Sequence, residues 1–386
     1  MLIQESVLLS PFLYVNNQMS DILSNKVKRQ PNFEVLRVLA MLFVVIAHFN
    51  GWGTTHHNVG PIQVSFANGG INSFCYLLFD PWAAMGVICF VLISSYFICE
   101  SNMLRFDKMF KIWSQTMFYS VIMALVSSFF INIPIKDILL SFAPIGSDQY
   151  WFVTKYMALI LLAPLMSVIV NSLSQKGLAT AIGVLAFLTV TITCGIPYGN
   201  TFFSDSPLSV ASFIMLFFIA SYIKKYELPS FVENYCGWIF ICCILFQSLI
   251  GIAVNIMRIE DGTIYGGFSV GYNALSIVPG TALFLWFRKQ KFKAGSWCNL
   301  LCKIAPYTFA VYLIHDNRYF RQILWNRIID PATYWNSPLW ILIAALVPVV
   351  ILLLCCLVDY FRGLLFSVLQ VGKLGKHIAT KNIVVR

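Results

Sequence analysis

RVLAMLFVVIAH, residues 37–48, decides how this chain is read. Ten apolar residues run unbroken between an arginine and a histidine. At the centre of a membrane helix an arginine costs about 2.5–3.5 kcal/mol on insertion scales, so a cation on such a segment needs a reason. Arg37 and His48 are eleven steps apart. At about 100° per residue that is three turns plus roughly 20°, which puts both side chains on one helix face, about 16 Å apart along the axis. Taken alone, the pair fits snorkelling to the two headgroup layers. It equally fits a polar seam through a helical bundle, because ionisable groups within membranes usually face the bundle and mark a substrate path. Asn32 is a candidate cap for this helix and Glu34 a favourable first-turn acid within reach of Arg37.

The rest of the chain repeats the pattern. Of 386 residues 59% are hydrophobic and 11% charged, against about 25% charged in soluble proteins. Many runs approach the ~20 residues a spanning helix requires. The expected fold is therefore all-α, a polytopic transmembrane bundle of about ten spans. They lie near 34–51, 82–100, 112–132, 151–171, 178–196, 208–223, 236–257, 272–287, 303–321 and 338–359. Residues 1–31 are expected to form an N-terminal cytoplasmic lead-in, 32–362 the transmembrane domain and 363–386 a cytoplasmic tail. The opening residues lack the basic n-region and small-residue cleavage site of a signal peptide, and Met19 is a second candidate start beside Met1.

The formal charge of +10 does not point to nucleic acid, since the basic residues form short clusters between apolar spans. Those after the second, sixth, eighth and tenth spans fall on one side if the count is ten. Both termini are then cytoplasmic by the positive-inside rule. Loop 51–81, rich in Gly and Asn, would cover the opposite face. Cysteines lie mostly within apolar runs as small buried hydrophobes; only Cys75 and Cys194 invite a disulfide. His56 and His57 lack further ligands at metal spacing, so no metal site is expected.

A second histidine falls in VYLIHDNRYF, residues 311–320, at the end of the ninth span. His315 would lie at the same level as His48. Asp316 follows it, but on an ideal helix points about 100° away.

At this point the sequence resembles a known family. NFEVLRVLAMLFVVIAHF is similar to the opening of the acyltransferase family 3 proteins, in which an arginine or lysine is followed after ten residues by histidine. FVLISSYFI (90–98), YWFVTKYMALILLAPLM (150–166), FFIASYIKKY (217–226), GYNALSIVPGTALF (271–284) and VYLIHDNRYFRQILW (311–325) resemble further segments, in order. Ser95 replaces a usual glycine. Lys108 and Lys111 stand where many relatives carry arginine, which alone offers a flat bidentate fork.

The resemblance implies a bacterial inner-membrane O-acyltransferase that binds no resident cofactor. It would use acyl-CoA, most often acetyl-CoA, as co-substrate, and a surface or lipid-linked polysaccharide as acceptor. His48 would be the general base, or the carrier of a transient acyl group. Arg37 would position the donor, and His315 would orient the acceptor or carry a second proton. Arg105, Lys108 and Lys111 would hold the donor phosphates. Tyr150, Trp151, Tyr272 and Asn273 would meet the acceptor. The rival reading is a transporter or flippase moving a glycan or small acid along the same polar path.

Overall fold

The computed structural model describes residues 30–55, 70–83, 85–147, 149–191, 209–256, 276–292 and 295–385. Tyr272 and Asn273 lie outside the described residues, as do His56, His57 and Cys194.

Among the described residues seven helical stretches are long and apolar enough to cross a membrane: Pro31–Thr55, Gly70–Ile98, Phe106–Ser128, Trp151–Ser172, Ser230–Ala253, Ser296–His315 and Leu339–Val368. The expected fifth, sixth and eighth spans correspond to shorter helices, Gln175–Ala186, Val210–Lys225 and Ile277–Lys289. The only strands among the described residues are two-residue pieces, so the protein is an all-α membrane bundle.

Helix α1 (Pro31–His48) is its axis. Pro31 suits a first turn, where a missing N–H costs nothing. Asn32 is buried and does not cap its own helix, as the sequence suggested. Its amide donates instead to the carbonyls of Phe287 (3.1 Å) and Arg288 (3.3 Å), closing the C-terminus of α2 (Ile277–Lys289). Terminal carbonyls need such partners where no water reaches. Beyond His48 the helix widens into π-type turns, Phe49–Thr55.

Helix α3 (Met85–Ile98) packs between α1 and α2. Its approach to both depends on glycine. A Cβ on Gly86 would stand 2.5 Å from the Ala40 carbonyl oxygen, and one on Gly280 of α2 would stand 2.6 Å from an Ile88 methyl. Small residues at such contacts let membrane helices close. Gly86→Ala is therefore expected to destabilise the fold by about 1–3 kcal/mol, the usual cost of overpacking. Thermal unfolding in detergent reads this out, and an unchanged midpoint would contradict the packing.

Two boundaries differ from expectation. The second span begins at Gly70, as α4 (Gly70–Ala83), inside the segment expected to be loop. Gly and Asn early in 51–81 hide the apolar residues from Ile71 onward. The ninth span stops at His315 instead of reaching 321. It is built from Ser296–Ile304, a tight turn at Ala305–Tyr307, and α5 (Thr308–His315). Asp316, at φ −102° and ψ 11°, leaves the helix.

Helix α6 (Leu339–Val368) runs past Arg362 and turns Leu342, Leu346 and Leu354 outward, as a lipid-facing helix must. Its Asp359 pairs with Arg362 and accepts hydrogen bonds from Gln115 (3.1 Å) and Tyr119 (2.8 Å). The tail then folds back. Val371–Ala379 is helical, and Ile383–Val384 pairs antiparallel with Met103–Leu104.

Candidate active site

The last residues of α1 and α5 meet inside the bundle. His48 Nδ1 lies 2.7 Å from His315 Nε2, and His315 Nδ1 lies 2.5 Å from the Val311 carbonyl oxygen. Both rings are buried, His315 completely. The partners dictate the protons of the neutral pair. A carbonyl only accepts, so His315 carries its hydrogen on Nδ1 and accepts at Nε2. His48 must then donate from Nδ1, which leaves its Nε2 with a lone pair. The second ring thereby sets the tautomer of the first, as a carboxylate does for histidine elsewhere.

Asp316 also belongs to this site, through His48 and Arg321. Its N–H still bonds the Tyr312 carbonyl (3.1 Å), and its carboxylate is buried. Its Oδ1 lies 3.9 Å from His48 Nδ1 and 3.6 Å from Arg321 Nη1. The Arg321 guanidinium in turn lies over the Trp52 ring at 3.9 Å. Asp316 and Arg321 thus stand beside the imidazole pair as an ion pair.

Asn317 and Tyr150 hold the turn. The Asn317 amide donates to Tyr150 Oη (2.8 Å), while its carbonyl accepts from the Tyr319 and Phe320 amides (3.1 and 3.2 Å). Tyr150 Oη donates to the Leu313 carbonyl (2.9 Å). Tyr150 is 1% exposed, so its hydroxyl and ring are enclosed here.

A narrow cavity of about 30 Å³ borders His48. Met41 and Val44 of α1 line it with Phe90 of α3, Trp151, Phe309 and Tyr312. Arg37, Met41, Val44 and His48 follow one another at helical spacing, a single stripe from one end of α1 to the other. On its α1 side the stretch between Arg37 and His48 is therefore apolar, where the sequence suggested a polar seam. Residues 38–47 offer no polar side chain to line it.

At the other end of the stripe Arg37 Nη1 bonds both oxygens of the buried Glu34 at 3.0 Å. The Tyr156 hydroxyl donates to Ser94 (2.9 Å). Arg105 grips Asp107 through Nε (2.8 Å) and Nη2 (2.6 Å), and that carboxylate holds the guanidinium above its usual pKa. Asn382 of the tail joins them. Its amide donates to Asp107 Oδ1 (3.0 Å), and its carbonyl accepts from the Phe106 N–H (2.8 Å) at the start of α7 (Phe106–Ser128). Lys108 and Lys111 are exposed on the first turns of α7.

The structure thus joins His48 and His315, sets Trp151 against the cavity beside them, and places Arg37 along the same stripe. Sequence reasoning missed Asp316, Asn317, Trp52 and Arg321. The adjacent polar residues of HDNR were the available sign that the helix stops there. Among the described residues no group of three or more His, Cys, Asp or Glu side chains could hold a metal ion.

A family model described as an acyltransferase domain matches residues 30–358. Among curated proteins and among solved structures, none matches the chain. The matched stretch takes in the whole histidine pair, the cavity and Arg37, and on it the chain belongs to acyltransferase family 3, a family of membrane acyltransferases.

Proposed function

We propose that the protein transfers an acyl group, in the first instance acetyl, from cytoplasmic acyl-CoA to a hydroxyl of a surface or lipid-linked polysaccharide. The setting is a bacterial inner membrane with both chain ends inside. The observation that carries this reading is the 2.7 Å contact between His48 and His315, which leaves His48 Nε2 as a base beside the cavity. The acceptor hydroxyl gives its proton to Nε2 while its oxygen attacks the thioester carbonyl. The C–S bond breaks, and the CoA thiolate leaves with that proton. Asp316 offsets the transient charge on the histidine pair.

The apolar stripe supports a donor whose uncharged thioester arm enters the bundle while its phosphates remain at the basic face. Arg37 lies at the foot of that route. A glycan or small acid crossing whole would require a wide polar path, whereas the cavity is about 30 Å³ and most of its lining residues are apolar. The test is incubation in lipid vesicles with radiolabelled acetyl-CoA and a lipid-linked glycan extract. Label is expected in the glycan; glycan translocation without label transfer would instead establish the transporter reading.

Arg105 would meet the donor phosphates with the three N–H groups that Asp107 does not use, and Asn382 fixes Asp107. Asn382→Ala is therefore expected to raise the KM for acyl-CoA about 2–10-fold, the worth of one hydrogen bond, with kcat unchanged. A fall in kcat at constant KM would remove the tail from donor binding.

A further inference from the structure

The face of α1 opposite the His48 stripe borders a second and larger hollow. Its volume is about 360 Å³, and it is enclosed by α1, α4 and α6. Ile46, Phe49, Tyr76, Trp82, Trp340 and Ala344 form much of its wall. Asn50, whose amide donates to the buried Asp80 (3.1 Å), is the one carboxamide in its wall among the described residues. Two apolar residues of its wall remain partly open to the outside: Phe79 on α4 is 53% exposed, Val349 on α6 41%. The hollow therefore borders the hydrocarbon of the bilayer, and the occupant it suits is a hydrocarbon chain.

We propose that this hollow holds the lipid anchor of the acceptor, so that the substrate is a membrane-tethered glycan presented to His48 by its own chain. The inference rests on the acyl-transfer reading above. Two observations favour the acceptor's chain over a bulk lipid tail. The hollow is built on the helix that carries the base. And one aromatic layer separates it from the histidine pair: Phe49 contacts Trp325 (6.1 Å between centroids) and Trp340 (6.0 Å), and Trp325 meets His315 edge-on (6.3 Å). Asn50 is two residues beyond His48, so a head group leaving the hollow at that level is about one helix diameter, some 10–12 Å, from the base. The first sugars of a tethered glycan cover that distance.

Ala344→Trp fills the hollow from α6 without touching the histidine pair. Two readouts are needed, each with wild type alongside. In the first, lipids co-purifying with the protein are identified by mass spectrometry after incubation with lipid-linked oligosaccharide in phospholipid vesicles. Wild type is expected to retain the oligosaccharide lipid and the variant to lose it. Equal retention by both, or phospholipid alone on wild type, would overturn the proposal. In the second, acetyl transfer is measured to the lipid-linked oligosaccharide and to the same sugar freed of its lipid. The variant is expected to lose at least 10-fold in kcat/KM on the first acceptor alone, with the KM for acetyl-CoA unchanged. Equal loss on both, or on neither, would count against the hollow. Absence of transfer by wild type to either acceptor would refute the acyl-transfer reading, while the binding readout still decides the hollow.

Discussion

His48→Ala is expected to lower kcat for acyl transfer about 10²–10⁴-fold, the usual contribution of a positioned general base, while leaving the KM for acyl-CoA nearly unchanged. The split follows from the geometry. His48 stands at one end of the apolar stripe and Arg37 at the other, about 16 Å along the axis. Removing the ring deletes proton transfer without disturbing whatever Arg37 and the basic face hold. The small cavity beside the ring would only grow, so helix packing should survive. Single-turnover and steady-state kinetics on vesicle-embedded protein check this. A variant that keeps its kcat but loses donor affinity would make His48 a binding residue.

The second large effect concerns His315. In the proposed mechanism it accepts the Nδ1 hydrogen of His48 and so exposes Nε2 as the base. His315→Ala removes the acceptor, and His48 is free to take the other tautomer or to tilt. In a serine–histidine–aspartate triad a wrong tautomer costs about 10⁴ in kcat; a loss of about 10²-fold or more is expected here. His315→Gln carries an amide oxygen able to accept from His48 Nδ1, and is expected to recover at least 10-fold over the alanine variant. Equal activity of the two would mean that His315 acts by filling space.

Much of this was legible in the sequence, and the physical reasons for success and failure differ. The spans and the two histidines could be read because hydropathy and the helical repeat are local properties. Arg37 and His48 share a face for the same reason. What could not be read depended on where helices end or on distant partners. The place of Asp316 in the site could not be read because its neighbour His48 lies on a distant helix. Asn32 was assigned to its own helix because its true partners, the carbonyls of Phe287 and Arg288, are over 250 positions away. The tail's grip on Asp107 through Asn382 spans 275 positions. The α1 side of the seam was misjudged because two polar ends suggested a polar middle. Residues 38–47 spell the opposite, and the cavity follows them.

That apolar middle also rationalises the division of labour along α1. On the proposed reading the donor phosphates stay at the Arg37 end, the base works at the other, and only an uncharged thioester need pass between them. The second hollow, on the reverse face, would give the acceptor an equally apolar route to the same ring.

The central claim is the proton arrangement of the histidine pair, and nitrogen NMR of histidine-labelled protein in lipid tests it most directly. His48→Gln and His315→Gln spectra supply the assignments. At neutral pH the account expects both rings to be neutral with hydrogen on Nδ1, and the Nε2 of His48 unprotonated. Hydrogen on Nε2 of His48, with Nδ1 bare, would contradict it.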